Sequence, residues 1–493
     1  MSEVHEHGPL GLAGEPEADR VGHVEVRGVE VIPDSDRHGH PRELFFIWMT
    51  SNLTVLYLVF GGILISLGLT IWQAVLAAVV GNAFYVLIGI ASTAGPPAGT
   101  STLMISRASY GHNGNRLSAF CSWISLVGFE AINLAFGAFA LFALADDLGW
   151  HVGTFGKAVL LGLNIAVTFG VAVLGHATIV RFQQFFALAL GLITIGLVAF
   201  TLGDVNWSYA PKVALHGTAA WVAFSAGLTL ILTGPLSWSV LPADFTRYMP
   251  RRSSAPAIVF WTTLGAIVPA LVLTILGVLV STVIDPTNLT ASMKGIVPGW
   301  FYPLFLVVVA VGTTANNILG IYSSGLALQS LGLRVHRAVA VSIDAVIGGG
   351  MAVYAVFISD FTTTLSEFLQ WALFWWAPFL GIFIVDLVLR RRDYDGPELE
   401  RERGGRYWYD RGFRWRGLIA LIAGGVCTAL FAQTTHLKGA LSTHLLSGGD
   451  ISALVGMAVG ALLYLALCHD PGPATVQLPS EPVVEPVVER VAT

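Results

Sequence analysis

The stretch Leu230–Arg252, LILTGPLSWSVLPADFTRYMPRR, begins as an apolar run and ends in a basic cluster. Gly234-Pro235 interrupts its middle, and Ser237, Trp238 and Ser239 follow. Proline lacks an N–H and clashes with the preceding turn, while glycine tolerates unusual backbone angles. Together they free carbonyls and amides at mid-depth of a membrane-crossing segment. Such a break is tolerated only where it is buried in protein or lines a cavity.

The membrane setting follows from composition. Of 493 residues, 55% are hydrophobic and 12% charged, against about 25% charged in a soluble domain. Crossing the hydrocarbon takes about 20 apolar residues in a helix. Twelve such runs occur, near 44–68, 71–95, 117–143, 153–175, 182–203, 219–242, 256–284, 299–331, 336–358, 366–389, 416–433 and 450–468. Their length excludes β-barrel strands, and a lipid-facing backbone must satisfy itself within helices. The expected fold class is an all-α polytopic membrane protein with 12 transmembrane helices, spanning 44–470. Residues 1–43 and 471–493 are expected to be disordered cytoplasmic tails, and 390–416 a long cytoplasmic loop.

Basic residues orient the chain. Arg107, Arg116, Arg181, Arg247, Arg251, Arg252, Arg334, Arg337 and the Arg390–Arg416 cluster follow even-numbered runs. Lys157, Lys212, Lys294 and Lys438 follow odd-numbered ones, in loops that otherwise carry acids such as Asp146, Asp147, Asp204 and Asp285. Cytoplasmic loops hold the excess of Lys and Arg, so both termini are expected inside the cell membrane. The first 43 residues hold His5, His7, His23, His38 and His40 but no apolar core of a signal peptide. The 3 cysteines, Cys121, Cys427 and Cys468, fall in or at the ends of apolar runs, with neither metal spacing nor a disulfide framework. No phosphate-binding glycine loop, HExxH or GxSxG is present, so no enzyme, cofactor or nucleic-acid partner is expected.

Gly234-Pro235 has a counterpart in the first run, FFIWMTSNLTVLYLVFGG, where Thr50, Ser51, Asn52 and Thr54 interrupt the apolar sequence. Short polar side chains compete locally for backbone hydrogen bonds. Runs 1 and 6 correspond if the fold consists of two repeats of five helices. Paired interrupted helices at matching positions are the sequence pointer to a transport site.

Two further runs carry polar groups. In LVGFEAINLAFG, Phe129 and Asn133 stand four apart and share a helix face. Glu130 lies about 60° around the helix from Asn133, and an ionisable residue within a span is a functional candidate. In VGTTANNILGIYSSGLALQ, Gly312, Thr313, Asn316, Gly320 and Ser323 recur along one face, flanked by Asn317 and Ser324. Asp344 and Asp386 are further acids within runs, the latter beside Arg390 and read as structural.

These motifs resemble the nucleobase:cation symporter-1 family, purine–cytosine permease branch. SWSVLPADFTRYMP is similar to its sixth-helix signature and ANNILGIYSSGLALQSLG to its eighth-helix motif. GFEAIN looks like its third-helix motif, and STAGPPAGTSTLMISRASYGHNGN like the link after helix 2. The resemblance runs from about residue 40 to 470. It implies a leucine-transporter-like architecture: a 5+5 inverted repeat with discontinuous helices 1 and 6, plus two extra helices. It also implies a monomeric symporter for a flat heterocycle: a nucleobase, hydantoin, allantoin or vitamin-like ring.

By that resemblance Phe129 and Trp238 would stack on the ring, with Ser237 beside them, and Asn133 would bond its edge. Asn316 or Asn317 would add a second polar contact, and Ser51 or Asn52 the helix 1 contribution. Phe129 replaces the family's usual tryptophan, a smaller surface without an N–H donor. For the coupling cation, Thr313, Thr314 and Thr50 are the sodium candidates, since hard cations take oxygen ligands. Glu130 is the competing proton carrier. An amino-acid permease of the same fold is the alternative, although Thr-Ser-Asn stands where glycines would bare the amides for a carboxylate. A membrane sensor is a third reading, unsupported by any appended soluble domain.

Overall fold

The computed structural model describes residues 28–172, 176–284, 292–333 and 337–468. The calls on residues 1–27 (with His5, His7 and His23), Asp285, Arg334 and the tail 471–493 fall outside them. The regular elements among the described residues are all helices, with only isolated β-bridges besides. The first apolar run forms α1 (Glu43–Asn52) and α2 (Val55–Ser66), and the second α3 (Ile71–Asn82) and α4 (Tyr85–Ser92). Short helices α5 (Gly95–Ala98), α6 (Thr102–Ile105) and α7 (Arg107–Tyr110) link them to α8 (Asn115–Asp147). Then come α9 (Thr154–Ala172), α10 (His176–Thr201), α11 (Gly217–Ser237), α12 (Ala255–Val280), α13 (Phe301–Ser330), α14 (Arg337–Phe357) and α15 (Phe361–Leu389). The short α16 (Gly396–Glu400) precedes α17 (Trp415–Phe431), α18 (Ala440–Leu445) and α19 (Ser452–Leu467).

Among the described residues, 9 helices are long and apolar enough to cross a membrane, and 10 if α1 and α2 count as one broken span. The apolar helices α17 and α19 are shorter than that length. They pack on each other and on α15 at the edge of the bundle. The centre is built differently: α13 lies along α8, and the broken pair α1–α2 lies along α12.

Both expected breaks exist, one of them displaced. The first is at Leu53-Thr54, where the chain bends by 51° between α1 and α2. Thr54 is extended there, at φ −125° and ψ 145°. The second is not at Gly234-Pro235. The helix α11 continues through Pro235 to Ser237, and a single 3₁₀ turn, Trp238–Val240, ends it. Proline forfeits only its own bond to the preceding turn, which α11 tolerates within a packed interior. Beyond Val240 the chain proceeds in turns to Met249 rather than as a second α-helix.

Those turns are anchored from several sides. Asp244 accepts from the Thr102 N–H at 2.8 Å and the Thr102 hydroxyl at 2.9 Å. The fully buried Arg247 donates to the Gly28 carbonyl at 2.6 Å and the Tyr322 hydroxyl at 2.7 Å. The call of a disordered tail therefore fails for residues 28–42. Ile32 is buried, its N–H bonds the Gly99 carbonyl at 2.9 Å, and Asp34 pairs with Arg251 at 2.9 Å. The apolar residues Val29, Val31 and Ile32, set among charges, gave this segment something to bury. The loop 390–416 is likewise docked: Arg390 pairs with Asp386 at 2.9 Å and reaches the Ala108 carbonyl at 3.0 Å, and Arg107 bonds the Leu399 carbonyl at 2.8 Å. Asp386 is thus structural, as its place beside Arg390 implied.

The contact between α2 and α12 depends on missing side chains. A Cβ at Gly277 would run into the Leu58 carbonyl, and one at Gly61 into the Thr274 carbonyl. Close approach through small residues is how helices associate in lipid. Gly277→Ala is therefore expected to destabilise the protein by about 1–3 kcal/mol through overpacking, read as a lower thermal midpoint in detergent. Gly162→Ala, with nothing within 4 Å of the new Cβ, is expected to leave that midpoint unchanged or slightly raised.

Candidate functional site

The two breaks face one another across a buried cavity. It is lined from α1–α2 by Thr54, Leu56, Tyr57 and Phe60, and from α8 by Leu126, Phe129, Glu130 and Asn133. The α11 break adds Thr233, Gly234, Ser237, Trp238 and Leu241, and α13 adds Asn316, Asn317 and Gly320. Six candidates widely separated in sequence, Phe129, Asn133, Ser237, Trp238, Asn316 and Asn317, therefore meet at one place. The free space is about 40 Å³, a few times the roughly 10–15 Å³ that a cavity needs to hold one water. The cavity is narrow in this conformation.

Aromatic rings form two of its walls. Trp238 packs edge-on against Trp48 at 5.3 Å between centroids. Phe129 stacks on Trp376 of α15 at 5.5 Å and 28°, with Phe368 edge-on at 5.4 Å. Each ring is held by other aromatics, so each has a defined orientation at the cavity.

The polar side is a chain of amides. Asn133 donates through Nδ2 to the Asn316 Oδ1 at 2.9 Å, and Asn316 donates to the Ser51 carbonyl. Asn317 donates to the Glu130 carbonyl at 3.0 Å. Three helices are thereby tied together at the level of the first break. The Ser237 hydroxyl donates back to the Gly234 carbonyl at 2.7 Å.

Ser51 and Asn52 do not line the cavity with their side chains. The Ser51 hydroxyl donates to the Ile47 carbonyl at 2.5 Å, so Ser51 contributes its backbone instead. Asn52 Oδ1 accepts from the Tyr57 hydroxyl at 2.6 Å and from Tyr85 at 2.5 Å. That buried cluster holds α1, α2 and α4 together at the bend. The polar residue of this break that does face the cavity is Thr54, whose buried Oγ1 has no hydrogen-bond partner.

The sodium candidates do not converge. The Thr50 hydroxyl donates to the Phe46 and Gln183 carbonyls, both at 2.9 Å. Thr313 and Thr314 both donate back to the Ala310 carbonyl, at 2.9 and 3.0 Å. Thr313 is turned toward Gly137 and Asn164, and Thr314 lines a separate space with Leu141, Phe182 and Phe186. The residue of α13 that meets the first break is Gly312, where an added Cβ would lie 3.0 Å from the Leu53 carbonyl oxygen. Successive helical positions are about 100° apart, so a threonine one residue beyond Gly312 points elsewhere.

Glu130 is fully buried at the cavity wall, and neither of its carboxylate oxygens has a hydrogen-bond partner. The residues missed from sequence are Tyr57, Trp48 and Trp376, while the sequence marks Thr54 as part of the break but not as a site residue. Tyr57 and Trp376 each sit in an apolar or aromatic-rich run, where nothing distinguishes a wall from a core position.

Comparison with known proteins agrees with this architecture. The Bacillus subtilis protein YxlA is 26% identical over 454 residues, covering 90% of this chain and 96% of its own. The purine-cytosine permease fcyB of Emericella nidulans is 25% identical over 475 residues, covering 90% and 88%. Among solved structures, Mhp1, a nucleobase-cation-symport-1 family transporter closed around bromovinylhydantoin, superposes with a TM-score of 0.73 at 19% identity, over 89% of this chain and 94% of Mhp1. Its inward-facing form gives 0.69. The family described as "Permease for cytosine/purines, uracil, thiamine, allantoin" matches residues 31–456, and the chain belongs to that family of multi-pass membrane transporters.

Proposed function

We propose that this permease imports a nucleobase or related flat heterocycle (a purine, cytosine, hydantoin or vitamin-like ring) by cation symport with alternating access. The observation that carries the reading is the single buried cavity to which Phe129 and Trp238 bring aromatic faces and Asn133 and Asn316 bring amides. A planar heteroaromatic has faces that stack and an edge of donors and acceptors. In our reading the chain acts as a monomer in the cell membrane, with both termini inside. α17 and α19 complete twelve spans, and the ten before them form two inverted repeats of five.

The contracted cavity belongs to this cycle. A heterocycle enters when Phe129 and Trp238 move apart, and the Phe129–Trp376 stack is exchanged for a stack on the substrate. The Asn133–Asn316 bond opens to give the substrate edge both amides. Substrate thereby replaces contacts that otherwise hold α8, α13 and α15 together.

The coupling cation in this reading is the proton. Sodium wants several oxygen ligands around one point, and Thr50, Thr313 and Thr314 point to different places.

Two outcomes follow for binding, measured by thermal shift and by radiolabel uptake with cytosine, hypoxanthine and hydantoin as probes. Trp238→Ala is expected to weaken binding by about 1–3 kcal/mol, the worth of one stacked base, while Phe129→Trp keeps function with altered selectivity. Unchanged affinity in Trp238→Ala would remove that ring from the site. Asn133→Ala is expected to weaken probes that hydrogen-bond through the ring edge more than analogues lacking those groups, because a polar site discriminates by what is left unpaired. Equal losses for all analogues would make Asn133 a purely structural link to Asn316.

A further inference from the structure

Glu130 has a second acid nearby, and a hydroxyl lies between them. Asp344 on α14 is fully buried and outside the cavity lining. Its Oδ2 accepts from the Ser324 hydroxyl at 2.6 Å, and its Oδ1 from the Trp123 indole N–H at 2.8 Å. Ser324 follows Gly320 by one turn of α13, and a Cβ at Gly320 would lie 3.9 Å from the Glu130 Cγ. Gly348 follows Asp344 by one turn of α14, and a Cβ there would lie 3.4 Å from the Glu130 Oε2. The Glu130 carboxyl is thus wedged between the faces of α13 and α14 that carry Ser324 and Asp344.

Among the described residues, no cation pairs with Glu130. Asp344 and Gly348 share a face of α14 against Glu130, and Ser324, bonded to Asp344, lies one turn beyond the Gly320 position that packs on Glu130. The other neighbours are Asn317 from α13, Trp123 from α8 itself and, beside the adjoining Gly128 and Phe129, Phe368 from α15. A buried carboxylate without a cation or a hydrogen bond is expensive, as Glu130 would be, and a second acid beside it, hydrogen-bonded but also without a cation, raises that cost. A proton is the one cation that relieves both without needing a coordination shell.

Resting on the symport reading above, we propose that Glu130 and Asp344 share the coupling proton, with Ser324 as the hydroxyl through which it passes. Glu130 opens on the substrate cavity and Asp344 lies behind it, so the pair joins the cavity to a second, closed position. In the transfer, Glu130 turns its O–H to the Ser324 Oγ while Ser324 gives its own proton to the Asp344 Oδ2. One O–H bond breaks on each donor and one forms on each acceptor. The serine is unchanged, and one proton has moved with no change of oxidation state. Substrate beside Glu130 and the proton on it then favour each other reciprocally.

The test uses the purified full chain and two readouts. The first needs no substrate: infrared difference spectra follow the C=O stretch of protonated carboxyls through a pH titration. If the acids share a proton, Asp344→Asn shifts the titration midpoint of the remaining Glu130 band by at least about one pH unit, the mark of coupled sites. An unmoved midpoint overturns the sharing. The second is accumulation of radiolabelled cytosine, or of hypoxanthine or hydantoin if one of these binds instead, in proteoliposomes under an imposed pH gradient. One coupled proton drives up to about tenfold accumulation per pH unit, since each factor of ten corresponds to about 1.4 kcal/mol. At a pH where Glu130 is protonated in both proteins, Asp344→Asn is expected to bind the probe as wild type does yet accumulate none. Ser324→Ala is expected to slow accumulation and Ser324→Thr to restore it. Wild-type accumulation in Asp344→Asn, or accumulation driven by a sodium gradient alone, overturns the proposal. Failure of every probe to bind wild type counts against the substrate reading, while the carboxyl titration still decides on the pair.

Discussion

Backbone polar groups inside a bilayer have no water to turn to, and that constraint organises this protein. At Leu53-Thr54 the helix gives up its regular hydrogen bonds, and the bend is held by side chains from several directions. Asn52 draws Tyr57 and Tyr85 onto itself. Asn316 takes the Ser51 carbonyl, and Gln183 takes the carbonyl of Ala315 at 3.0 Å while receiving the Thr50 hydroxyl. The Leu53 carbonyl looks onto the bare backbone of Gly312. Removing these groups would leave unsatisfied donors and acceptors in the interior, each costing about 1–3 kcal/mol. The site we propose for substrate is the space that these obligations leave between α1–α2, α8, α11 and α13.

The same groups that satisfy the break also define what the cavity can recognise. Asn133 and Asn316 are bonded to each other while the cavity is contracted, so they are satisfied without substrate and available to it. The aromatic walls behave alike: Phe129 rests on Trp376, and Trp238 on Trp48. In the cycle we propose, a ligand enters by exchanging like for like, stack for stack and amide for amide. Exchange of this kind lets a closed cavity open without stranding polar groups, as alternating access requires.

Much of this was legible in the sequence, and the failures share a cause. Twelve apolar runs gave the helical class, and Thr-Ser-Asn in the first run located the first break. Residue type and helical spacing pick out Phe129, Asn133, Asn316 and Asn317, the break and the family resemblance pick out Trp238 and Ser237, and all six meet at one cavity. Proline marked the second break three residues early, since α11 absorbs Pro235 and ends at Ser237. Thr313 and Thr314 were chosen by chemistry without phase, and about 100° per residue turns them from the break that Gly312 meets. Ser51 and Asn52 were read as cavity-facing, yet their side chains are committed to the backbone of α1 and to two tyrosines. Trp48, Tyr57 and Trp376 were invisible, because an aromatic in an apolar run signals burial and not what it is buried against. The docking of residues 28–42 was hidden by their polar average, which masked Val29, Val31 and Ile32.

The central claim is that the contracted cavity between the two breaks is where a flat heterocycle is held. A structure determined with cytosine, hypoxanthine or hydantoin bound tests it most directly. This account expects the ring between Phe129 and Trp238, its edge on Asn133 and Asn316, with the Phe129–Trp376 stack opened and the bend at Leu53-Thr54 retained. A ring bound elsewhere in the bundle, with Phe129 still stacked on Trp376 and Asn133 still bonded to Asn316, would contradict it.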